Sequence, residues 1–328
     1  MTRGPLALGV LGLWIGGPGC DRYWVCDGPD PERTAAVPAR LSETGLYVAG
    51  STEQVAPGVV PYTPQFPLWS DGADKQRWIL LPAGTQIDTG DLDDWRFPDG
   101  TRLWKQFSVD GVRIETRLLE KRGPRDDDWV AISYVWDAGG RDAIAAPLGA
   151  LDALATGHDV PAAGECVACH GGRRSFALGF SAIQLAHDAP AGELDLAGLV
   201  QGGRLSAPPA SAPVIPGTAV EVAALGYLHA NCSHCHNQAR PERAGARCFD
   251  PENKYDFTLA VGELGSAAAT ATYRTVVGSA VKPGDPGGSD LVVWMSRRGF
   301  LRQMPPLATA KVDTDAVARI RTWIAGLP

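Results

Sequence analysis

The sequence predicts an α+β chain, with a β-rich sandwich or partly closed barrel in front and mainly helical structure behind. Three observations carry this. From Leu41 to about Ala146, short apolar runs alternate with polar residues and are punctuated by turn dipeptides. From Thr218 onward, apolar residues recur at helical spacing. Between them, residues 189–218 are rich in Ala, Pro, Gly and Ser and read as a connection. The 328 residues suit two or three domains. The expected division is a leader at 1–19, a β-rich domain at 39–146, a motif-bearing segment and connector at 147–217, and a helical domain at 218–328.

Arg3 followed by the apolar, small-residue stretch from Leu6 to Gly17 has the form of a secretory leader. About 12 residues are too few to span a bilayer, which needs about 20. Cys20 stands where a lipoprotein cysteine would, although Gly17-Pro18-Gly19 fits that cleavage signal poorly. A lipid anchor on Cys20 and a simply cleaved leader both stay open. Either places the chain outside the cytoplasm, in the periplasm or anchored at the bacterial envelope. Residues 27–38, rich in Pro, Asp and Gly, read as a linker.

Strands are expected at Arg77 to Leu81, Thr101 to Phe107, Val112 to Leu118 and Trp129 to Trp136. Asp99-Gly100 and Asp110-Gly111 are turn signals, and the second closes a hairpin. Trp69, Trp78, Trp95, Trp104, Trp129, Trp136 and Tyr134 are expected in the core rather than at a ligand. The stretch Pro61 to Gly72, dense in Pro and aromatics, is expected as a surface loop that covers a cofactor edge. Short helices are predicted at Glu165 to His170, ended by Gly171-Gly172, and at Phe176 to Leu185. A longer one covers Glu221 to Ala230. Ser289 should cap a helix to Ser296, and Asp313 or Thr314 a last helix to Ile324.

Two stretches carry chemistry. Cys166-Val167-Ala168-Cys169-His170 and Cys232-Ser233-His234-Cys235-His236 both read C-x-x-C-H, the attachment signature of c-type haem. Chance would give roughly 0.003 copies in a chain of this composition, so two are not accidental. The two cysteines of each motif would bind the porphyrin through thioethers, and His170 and His236 would be the proximal iron ligands. A zinc ribbon would need closer spacing between the pairs. A redox C-x-x-C would need a βαβ setting that is not evident and would leave both trailing histidines unexplained. Cys20, Cys26 and Cys248 remain, with Cys26–Cys248 or Cys20–Cys26 as alternative disulfides in an oxidising compartment. The net charge of −7 excludes nucleic acid as a natural partner and suits basic redox proteins.

Residues 219–328, with helix, C-x-x-C-H, loop, Gln303-Met304-Pro305-Pro306 and terminal helix, resemble a class I cytochrome c domain. That resemblance implies His236 and Met304 as the two axial ligands. The whole chain resembles a group of diheme c-type cytochromes of bacterial envelopes. That wider likeness rests on Pro64 to Ala73, on Glu115-Thr116-Arg117-Leu118-Leu119 and on Leu178-Gly179-Phe180. It implies mainly helical haem domains behind the β domain and two covalent haems c. It also implies electron transfer between periplasmic donor and acceptor proteins.

Met295 falls in an amphipathic helix and reads as core. For the sixth ligand of the first haem, His158 is favoured, because a twelve-residue linker reaches about 40 Å at most. His187, His229, His234, Met295 and an open position are the alternatives. An open position would suit a diheme peroxidase or oxidase, the rival to simple electron transfer.

Overall fold

The computed structural model describes residues 37–239, 254–299, 303–306 and 309–328. The expected leader, Cys20, Cys26 and Cys248 lie outside these residues. The front half is one six-stranded antiparallel sheet in sequential order. Its strands are β1 (Val59–Pro61), β2 (Asp74–Leu80), β3 (Arg102–Val109), β4 (Val112–Lys121), β5 (Trp129–Trp136) and β6 (Ala143–Ala145). The two-residue turn joining β3 to β4 has Asp110 at φ 49° and Gly111 at φ 78°, the geometry that Asp-Gly supplies at little cost. All four expected strands are present.

The expected sandwich or barrel is corrected to this single sheet, whose edges β1 and β6 do not pair among the described residues. Alternating strands and turn signals suggested a sandwich or barrel, but apolar residues lie on both faces of this one sheet. They are covered instead by irregular chain and short helices. One face carries Trp78, Trp104, Leu118, Ile132, Tyr134 and Trp136, and is covered by Leu41, Leu46 and Tyr47. The opposite face carries Ile79, Leu103, Leu119 and Trp129, and is covered by Phe176, Phe180, Leu185, Leu196, Leu199 and Leu205. Each such side chain, fully buried, contributes about 1.5–3 kcal/mol. Trp104 and Trp136 donate from their indole nitrogens to Thr44 Oγ1 and Thr116 Oγ1, each at 3.0 Å. These two rings are packing elements, as expected.

Among the described residues, seven α-helices follow: α1 (Ala163–His170), α2 (Ala182–Leu185), α3 (Leu196–Gln201), α4 (Ala219–Cys232), α5 (Ala271–Thr275), α6 (Asp290–Met295) and α7 (Thr314–Ala325). The helix expected over Phe176 to Leu185 is only α2, because Phe176 at φ 56° and Gly179 at φ 80° leave the helical region. The connector at 189–218 contains α3, capped by Asp195 through Gly198 N–H at 2.7 Å. It is part of the sheet's covering layer. Thr218 and Glu221 form a reciprocal capping box on α4. Asp313 caps α7 through Ala316 N–H at 2.9 Å. Ser289 precedes α6 as expected but does not cap it; its hydroxyl binds Lys282 N–H and Asp285 O. Helices α4 and α7 pack together through Ala224, Tyr227 and Leu228 against Ala316, Ile320 and Trp323, with Met295 in the same core.

The stretch 64–73, expected to cover a cofactor edge, joins the two halves. Gln65 and Phe66 bind the backbone and side chain of Gln184. Trp69 N–H donates to Asn231 Oδ1 at 2.7 Å, and Asp71 accepts from Ala310 and Lys311 N–H. Phe66 lies on Gly226 so closely that a Cβ there would overlap its ring.

Candidate functional site

Helix α1 presents the first motif. Glu165 accepts from Ala162 N–H at 2.8 Å and starts the helix, and Gly171 ends it by donating to Val167 O. Cys166 and Cys169 are three residues apart, so they share a face about one turn apart. His170 Nδ1 lies 2.7 Å from Phe176 O. A carbonyl can only accept, so the proton sits on Nδ1 and the Nε2 lone pair is left for a metal. Phe176 is fixed in turn by stacking on Trp129 of β5, with ring centroids 6.0 Å apart and 14° between planes. Burial pushes the His170 imidazole down to about 3, keeping it neutral at physiological pH.

The second motif begins on the last residue of α4 and continues its turn. His236 N–H donates to Cys232 O at 2.8 Å. The His236 ring meets Phe257 edge-on at 5.6 Å and Tyr255 at 6.5 Å. Tyr255 packs on Trp294 at 6.4 Å, and Trp294 O accepts from Met304 N–H at 3.1 Å. The aromatic contacts of His236 thus run to Trp294, whose backbone holds the Met304 backbone.

The two motifs, far apart in sequence and expected in separate segments, meet in space. Cys235 Sγ lies 4.0 Å from Ala168 O. The Cys169 thiol hydrogen-bonds with Cys235 and with His234, and the Cys235 contact with burial pushes it well above the usual thiol range. Asn237, just past the second motif, donates to Gly172 O at 3.3 Å, just past the first. None of the four cysteines is in a disulfide. Burial pushes the Cys166 and Cys232 thiols up to about 12, opposite to the lowered value that a nucleophilic or redox C-x-x-C cysteine requires.

The other histidines are engaged elsewhere. His158 is buried beside the first motif, with Nε2 3.0 Å from Glu115 Oε2. Glu115 is also clamped by Arg117 at 2.6 and 3.0 Å, and Arg117 lies close enough to Cys166 and Cys169 to interact electrostatically. His187 Nε2 donates to Thr63 O at 2.7 Å. His229 Nδ1 accepts from Leu259 N–H at 3.1 Å and the ring also bonds the Phe257 backbone. Among the described residues, no three or more of His, Cys, Asp and Glu converge to hold a bare metal ion. A tetrahedral zinc site would need such a group, whereas a haem brings four of its own nitrogens.

Sequence reasoning missed the wall behind the first motif. Lys105 and Arg117 both act on the His170 ring. Their signal was present as charged residues alternating along β3 and β4, but it reads equally as a solvent-facing edge. No family model, curated protein or solved structure matches this chain.

Proposed function

We propose that this chain is a diheme c-type cytochrome that transfers electrons in the bacterial envelope, with redox proteins as donor and acceptor. The observation that carries the reading is the meeting of two complete C-x-x-C-H motifs, with His170 already held by Phe176 O in the tautomer an iron ligand needs. The residues fit the group: two thiols on one helical face, free of disulfides, beside a neutral imidazole. Bound there, haem would supply one-electron iron chemistry. Cys166, Cys169, Cys232 and Cys235 would hold it through thioethers. His170 and His236 would bind from one side, and Met304 would serve the second centre. A thioether ligand favours the reduced iron and raises the potential. The α4–α7 pair and the route from His236 through Tyr255 and Trp294 to Met304 support a class I-like arrangement of residues 219–328.

One observation favours the rival, peroxidase-like reading. His158 Nε2 is taken by Glu115, while His187 and His229 are tied to backbone. These contacts leave none of the three poised as a second protein ligand to a group held by His170. There, His158 on its carboxylate beside Arg117 is suited to moving a proton.

The test is the mass of protein purified from an envelope-exporting host, after denaturation and acidic organic extraction. Two haems retained per chain are expected. Cys166→Ala/Cys169→Ala and Cys232→Ala/Cys235→Ala should each retain one. Bare peptide overturns the reading. In the loaded protein, rapid reaction with peroxide selects the peroxidase-like reading, and inertness selects electron transfer.

A further inference from the structure

The sheet face that looks toward the first motif carries four cations, three of them in register. Arg77 of β2 pairs with Lys105 of β3, and Lys105 pairs with Arg117 of β4. Lys75 lies on the same face two residues before Arg77, opposite Phe107. Adjacent strands are about 4.8 Å apart, so the row from Arg117 to Arg77 runs about 10 Å across the sheet. Its Arg117 end senses Cys166 and Cys169, and Lys105 senses His170. Its Arg77 and Lys75 end lies on the strand farther from Arg117.

These cations are poorly matched by protein. Arg117 has Glu115. Arg77 is only 6 % exposed, and among the described residues its guanidinium has no hydrogen-bond or ion-pair partner, Glu193 being the carboxylate it senses. Lys75 donates to Leu68 O at 2.6 Å and senses Asp313 and Asp74 without pairing. Lys105 lies over the Phe107 ring at 5.0 Å and senses Glu115. Burial, with repulsion from the other cations, lowers Lys75 to about 8 and Lys105 well below the usual lysine range. Enclosing unpaired positive charge is costly and is relieved by an anion. Guanidinium and ammonium groups on a rigid strand are the natural partners of carboxylates.

We propose that Lys75, Arg77 and Lys105 form a carboxylate-binding row, and that the carboxylates it binds are the propionates of the haem on Cys166 and Cys169. The sheet is then one wall of a haem site rather than a separate docking module. This rests on the two-haem reading, and the test separates the two.

Full-length protein is prepared as wild type and as Arg77→Met, Lys105→Met and Lys105→Arg. Haem per chain is counted after denaturation, and both midpoint potentials are measured in redox titrations from pH 5 to 9. If the wild type retains no haem, the functional reading fails. With two haems retained throughout, Arg77→Met and Lys105→Met should lower one potential, leave the other in place and steepen the pH dependence of the affected one. Lys105→Arg should restore wild-type behaviour. Unchanged potentials in both methionine variants overturn the proposal alone. Should Arg77→Met not accumulate, Lys105→Met decides by the same measurement. Loaded wild type is also titrated with succinate and with phosphate. Saturable shifts in its spectrum or potential would identify the row as a site for free anions and overturn the propionate assignment, whereas no shift supports it.

Discussion

Glu115 shows how much one buried residue can depend on its neighbours. It is fully enclosed on β4, and burial alone would raise its carboxyl. The Arg117 charge and hydrogen bonds from His158 and Arg117 outweigh burial and hold it at about 2. A carboxyl lowered on folding stabilises above its unfolded value of about 4.3 and loses that contribution as pH falls toward the folded value. Acid unfolding should therefore steepen between about pH 4.3 and 2. Glu115→Gln leaves Arg117 enclosed without its partner and should cost about 3–5 kcal/mol at neutral pH, read by urea unfolding. Most of that loss should disappear when wild type and variant are compared at low pH. None of this was legible beforehand. Glu115-Thr116-Arg117 drew attention only through a resemblance, because a strand sequence does not reveal which face is enclosed.

At the scale of elements, strands and helices followed local rules where those rules had no competitor. The Asp110-Gly111 hairpin and the Asp313 cap form where expected. Where tertiary contacts compete, the expectation gave way. Phe176 leaves helical geometry and brings its carbonyl to His170 while its ring stacks on Trp129, a conformation costing on the order of 1–3 kcal/mol. The 64–73 strap is fastened to α4 at Gly226, where there is no room for a side chain against Phe66. Gly226→Val should destabilise by about 1–3 kcal/mol through overpacking. Phe66→Ala in the same chain should recover part of that loss. A double-mutant cycle by chemical unfolding measures the coupling, and additive losses would mean that the strap and helix do not share this contact.

For the whole molecule, the main consequence is the meeting of the two motifs. With Cys169 against Cys235, haems attached at both places would be near neighbours. The oxidised protein should show magnetically coupled haem signals in EPR, and each single-haem cysteine variant an uncoupled one. A spectrum equal to the sum of the two single-haem spectra would mean that the motifs part when loaded. The sequence alone determined the two C-x-x-C-H motifs, because each is a local arrangement of reactive groups. It also determined the α+β division, because alternation and helical spacing are local too. Only the tertiary structure decided that two motifs separated by a long stretch of chain meet in space. It also decided that a single sheet stands where a sandwich was expected, and that Lys105 and Arg117 face inward. Those outcomes depend on which surfaces exclude water together, and covering chain from distant segments decides that.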